Sequence, residues 1–102
     1  MSPRITPVTG DDVPQEARPV LDSLKRALGM VPNLHQTLAR SPAALKGYVA
    51  TVQALAHGRL PAALREQIAV AVAGYNRCAY CASAHTMLGK AADISPEELA
   101  RN

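Results

Sequence analysis

Phenylalanine and tryptophan are absent from this sequence, and tyrosine occurs only three times. The interior must therefore be built from Ala, Val, Leu, Ile and Met. Small side chains let helices approach closely, yet each removes less surface from water than the large ones, which contribute roughly 1.5–3 kcal/mol apiece when fully buried. A chain of 102 residues and 10.8 kDa has room for one domain at most. Such a chain buries only about two-thirds of the surface its unfolded form exposes. Further burial through self-association is expected.

Clustered charge is missing too. The basic residues are spread from Arg4 to Arg101, with Lys25–Arg26 the only adjacent pair, for a net charge of +3. Nucleic-acid binding calls for a basic patch with a groove-entering or stacking element, so no nucleic-acid partner is expected. Nor is there an apolar run long enough to span a membrane, and residues 1–7 lack the apolar region of a signal peptide. These absences point to a cytoplasmic location with no membrane partner. Cysteine is scarce, at two residues, and in a reducing compartment a close pair is redox-active or metal-bound rather than a structural staple.

What is present is helical patterning. Residues 1–13, with two prolines and the cluster Thr9–Asp12, read as an N-terminal arm, able to wrap a neighbouring subunit. Residues 14–102 read as one helical domain. Val20, Leu21, Leu24 and Leu28 mark the first helix, which Gly29 ends, and Val31–Pro32 forces an extended link. Asn33–Arg40 makes a short second helix. Ser41–Pro42 is a cap followed by proline at the first helical position, and the third helix should run to about His57, burying Leu45, Val49, Val52 and Leu55 in part. From Pro61 a fourth helix is apolar on every face and is expected to be buried. Gly74 should stop it and Asn76 should cap a fifth helix, starting at Arg77 and ending near Lys90. Ser95–Glu98 is a capping box for a sixth. The expected fold is all-α, with a central antiparallel helical hairpin completed by homo-oligomerisation.

That hairpin carries the chemistry. Cys78, Cys81 and His85 lie three and four positions apart, so a helix sets them on one face, within reach of a disulfide and of proton transfer from sulfur to imidazole. Glu66 lies about as far before the turn as His85 lies after it, so antiparallel packing brings the two level. A carboxylate there orients the ring, and an imidazolium stabilises a thiolate on Cys81. Position at the start of the helix, next to Arg77, favours a thiolate on Cys78 instead. Spacing does not choose between the two sulfurs. Three other readings are open: a zinc site using Cys78, Cys81, His85 and Glu66, although structural zinc prefers Cys and His; a plain core pair of cysteines; and Glu66 as an ordinary surface charge. His35 and His57 read as surface or loop histidines, and Tyr75 and Tyr80 as packing or cap residues.

Glu66, eleven residues, Cys78–Ala–Tyr–Cys81, three residues and His85 together resemble the signature of the alkylhydroperoxidase D-like branch of the carboxymuconolactone decarboxylase superfamily. Gly29–Leu34, Leu38–Pro42 and Ser95–Glu98 resemble flanking segments of its peroxidase-related members, so the likeness runs from about residue 14 to the end. It implies an all-helical subunit that assembles into trimers or hexamers, continues with further helices, and acts as a thiol peroxidase without a bound cofactor. It also implies that Cys81 attacks the peroxide, Cys78 closes the disulfide, and Glu66 and His85 relay protons. A dithiol, in the best-known relatives a lipoyl group on a partner protein, then reopens the bond. Tyr80 stands where some relatives carry a histidine. A non-redox decarboxylase or isomerase on the same scaffold is the other enzymatic possibility.

Overall fold

A computed structural model describes residues 4–101, and every regular element among them is helical. Two 3-10 turns, Gly10–Asp12 and Gln15–Ala17, precede six α-helices: α1 (Arg18–Leu28), α2 (Asn33–Leu38), α3 (Pro42–Ala56), α4 (Ala62–Tyr75), α5 (Ala79–Ala91) and α6 (Pro96–Arg101). The all-α expectation holds. Two compact units divide between Ala54 and Leu55, near the end of α3.

In the first unit, Val8, Ala17, Leu21, Ala39 and Leu45 form the core, with Val13, Val20, Leu24, Val31, Leu38 and Val49 packed against it. Gly29, at φ 82°, ends α1 by donating its N–H to the Lys25 carbonyl, a left-handed conformation that glycine adopts without a Cβ penalty. Ser41 caps α3, its Oγ accepting from the Ala44 N–H at 3.3 Å. Residues 1–3 of the expected arm lie outside the described residues. The rest of it packs on its own chain: Val8 is buried and donates its N–H to the Gln36 carbonyl, and the Arg40 guanidinium holds the Thr6 carbonyl and hydroxyl at 2.6 and 2.7 Å. Further along α3 the expected burial fails. Leu45 is fully covered, but Val52 and Leu55 are 48% and 63% exposed.

The second unit is built on α4 and α5, which pack as a hairpin, with α6 against α5. Its core is Val70, Ile94 and Leu99, with Ala63 packed against it. Gly89 lets α6 come close: a Cβ there would lie 2.8 Å from Leu99 Cδ2. Ser95 caps α6 by accepting the Glu98 N–H. Helix α4 is not the buried helix its composition suggests. It buries Val70 and Ala73, while Ile68 and Val72 are about half exposed. A helix apolar all round has more faces than one hairpin partner covers.

The hairpin turn differs from expectation in a way that matters. Gly74 does not stop α4, which continues through Tyr75, and Asn76 caps its C-terminus rather than the start of α5. Arg77 adopts φ 55°, the Arg77 N–H donates to the Gly74 carbonyl, and the Cys78 N–H donates to the Ala73 carbonyl. These two bonds make a Schellman motif, with an arginine where glycine is usual. The same arrangement ends α5, with Asp93 at φ 66° and the Ile94 N–H on the Gly89 carbonyl.

Candidate functional site

Because the turn takes up Asn76 and Arg77, Cys78 is not inside α5. It is the residue that caps it, in extended conformation at φ −93° and ψ 99°. Its Sγ accepts the Cys81 N–H at 3.3 Å. Capping is normally the work of Ser, Thr, Asp or Asn, whose side-chain oxygen accepts an orphan N–H of the first turn. Here a sulfur does it. Cysteine is outside that set, so the sequence carries no ordinary signal for the role.

Cys81 lies in the first turn of α5 and is half-buried, like Cys78, and both are free thiols. Their acidities are pushed apart. A hydrogen bond from the Cys81 thiol, and then the Cys81 and Tyr80 backbone N–H groups, holds Cys78 below the ordinary thiol range, against a smaller contrary effect of desolvation. Donating that bond, with burial and the negative charge on Cys78 behind it, pushes Cys81 up. The two sulfurs share one proton more readily than they lose both.

One turn beyond Cys81, His85 meets Glu66 of α4. His85 Nδ1 and Glu66 Oε2 are 2.7 Å apart, both partly exposed to solvent. An ionised carboxylate only accepts, so Nδ1 carries the proton and Nε2 is the nitrogen left for exchange with a substrate or a sulfur. The register expected from equal distances to the turn is what brings them together. All four expected site residues, Glu66, Cys78, Cys81 and His85, thus belong to one hairpin. The zinc reading fares differently. Among the described residues no group of three or more His, Cys, Asp or Glu side chains is placed to hold a metal ion.

The other histidines lie in or next to the first unit's helices. His35, expected at the surface, is partly buried on α2, edge-on to Tyr48 with ring centroids 5.6 Å apart. Its Nδ1 is buried without a hydrogen-bond partner, and burial lowers its basicity. His57 is exposed just past α3. No helix among the described residues is long and apolar enough to cross a membrane.

Known proteins resemble this chain. The model of the carboxymuconolactone decarboxylase family matches residues 42–101. The crystal structure of the alkylhydroperoxidase AhpD core from Rhodospirillum rubrum is similar with a TM-score of 0.83 at 28% sequence identity, over 99% of this chain and 79% of that one. No curated protein sequence matches significantly.

Proposed function

The chain belongs to the carboxymuconolactone decarboxylase family, in its alkylhydroperoxidase D-like branch, and from that premise we propose that it is a thiol-dependent peroxidase. It reduces hydroperoxides through a Cys78–Cys81 redox pair, with Glu66 and His85 moving protons. The observation that carries this reading is the hairpin itself, which sets two thiols, the first accepting the second residue's backbone N–H, one helical turn from an imidazole held by a carboxylate at 2.7 Å.

A thiolate attacks the outer peroxide oxygen, the O–O bond breaks, and an alkoxide leaves and takes up a proton. The resulting sulfenic acid is attacked by the second sulfur, releasing water and leaving the disulfide. Two thiols are oxidised and one hydroperoxide is reduced to alcohol and water. His85 Nε2 serves as the exchange point for the protons, held in orientation by Glu66. A dithiol, such as a lipoyl group on a partner protein, returns the pair to thiols. The half-exposed apolar side chains Ile68 and Val72 on α4 fit a homo-oligomer, a trimer or hexamer, and a reducing cytoplasm fits a pair that rests as thiols.

The deciding experiment is a thiol count before and after one equivalent of an organic hydroperoxide. Loss of both thiols to an intramolecular disulfide, with alcohol produced in equal amount, is the expected result. A second reading, non-redox decarboxylation or isomerisation, draws on the name of the matching family. It predicts turnover in a Cys78→Ser/Cys81→Ser variant, where the peroxidase reading predicts none.

A further inference from the structure

The first unit holds a cavity of about 160 Å³ lined by the arm, α1 and α2. Its floor is aliphatic: Val8 and Leu21 are buried, with Val13 and Val31 half-buried beside them. Three polar side chains, Arg18, Asp22 and Gln36, line the same space, and the first two are exposed at its rim.

Arg18 and Asp22 stand one turn apart on α1, a spacing of roughly 5–6 Å between Cβ atoms at which opposite charges commonly pair. They do not pair here. The Arg18 guanidinium turns instead to the Gly10 carbonyl, to which Nη2 donates at 2.8 Å. That bond pins one end of the planar fork and leaves its other N–H groups for a ligand. Among the described residues, neither the Asp22 carboxylate nor the Gln36 side-chain amide has a hydrogen-bond or ion-pair partner.

We propose that this cavity binds a small branched aliphatic α-amino acid, its carboxylate on Arg18, its ammonium on Asp22 and its side chain on the aliphatic floor. The proposal is independent of the redox pair. A ligand with a single charge would cover the rim while leaving one of its two charges without a partner, which costs affinity. A zwitterion answers both. The guanidinium fork takes a carboxylate through two parallel N–H bonds, and an ammonium donates to the Asp22 carboxylate and the Gln36 amide oxygen. Size narrows the class further, since a cavity of roughly 150 Å³ holds a molecule as large as benzene. A valine side chain fits beneath the rim and an indole does not. Polar side chains find no partner among the four aliphatic groups.

The test is a titration of L-valine into the 15N-labelled chain. Amide shifts should change at residues 8–13, 18–22 and 31 and saturate with a Kd on the order of 1 mM, weak because the ligand has few atoms. Two analogues, 3-methylbutanoate without the ammonium and isobutylamine without the carboxylate, should each bind about tenfold or more weakly than valine. Asp22→Asn changes an exposed, unpaired side chain and should leave the fold intact. It should weaken L-valine about tenfold and leave 3-methylbutanoate unchanged. Absence of a saturable shift at about ten times the expected Kd overturns the proposal. So does an analogue that binds as well as valine, or an Asp22→Asn variant that binds valine as tightly as the wild type.

Discussion

Glu66 and His85 are separated by nineteen positions in the chain, yet Oε2 and Nδ1 lie 2.7 Å apart across the α4–α5 hairpin. The contact fixes both the tilt of the ring and the identity of its protonated nitrogen. Replacing the carboxylate by an amide of the same shape, Glu66→Gln, keeps the packing but frees the ring to turn. Peroxide-dependent oxidation should fall about ten- to a hundredfold, with the circular dichroism spectrum and melting temperature close to wild type. Unchanged kcat/KM in that variant would remove Glu66 from the mechanism.

Thiolate absorbance at 240 nm should rise in two steps as pH increases, one below and one above the ordinary thiol value of 9.0. The signs for stability follow. Cys78 is depressed, so its contribution is present above 9.0 and is lost as pH falls through its lowered value. Cys81 is raised, so its contribution is present below 9.0 and lost as pH rises through its raised value. Cys81→Ser should leave a single step.

Arg77 holds a left-handed conformation that costs a residue with a Cβ about 1 kcal/mol or more. Arg77→Gly relieves it, and a gain of about 0.5–1 kcal/mol is expected in urea unfolding after the extra chain entropy of glycine is counted. Arg77→Val should lose stability instead, since a β-branched residue tolerates this region least.

Gly89→Ala forces a methyl group to within 2.8 Å of Leu99 Cδ2. The overpacking should cost about 1–3 kcal/mol. Combined with Leu99→Val, the loss should be smaller than the sum of the two single changes, because the second removes part of the clash that the first creates. Strict additivity would mean that α6 moves aside without resistance.

His35 offers a test in the first unit. Its buried Nδ1 has no partner and its basicity is lowered by burial, so acid should destabilise the fold as pH drops below 6.5, where the unfolded chain takes up a proton first. His35→Phe keeps an aromatic edge toward Tyr48 and removes the unpaired nitrogen. Its urea midpoint should change less between pH 7 and about pH 5 than that of the wild type.

Much of this arrangement was legible in the residues. Ser41, Gly29 and Ser95 are helix-boundary residues of ordinary type, and the boundaries stand where they put them. The level placement of Glu66 and His85 followed from helical rise alone. Two things were hidden, for different reasons. Gly74 and Asn76 looked like stop and cap, but the turn was made by Arg77 in a conformation arginine seldom takes, and that moved Cys78 from the helix interior to its cap. The exposure of Val52, Leu55, Ile68 and Val72 was hidden because apolar periodicity tells which side chains favour burial, not whether one chain has the surface to cover them.

Helix α5 is closed at its start by Cys78, the same sulfur that would change oxidation state in the proposed redox cycle. When Cys78 and Cys81 join, the thiolate lone pairs that received the Cys81 N–H are drawn into a bond with the neighbouring sulfur, and a covalent link takes over from the cap. Amide hydrogen exchange at Cys81 therefore reads the redox state directly, slow in the dithiol form and faster once the disulfide has formed. The first turn of α5 is a local gauge of how much reducing power the protein has left.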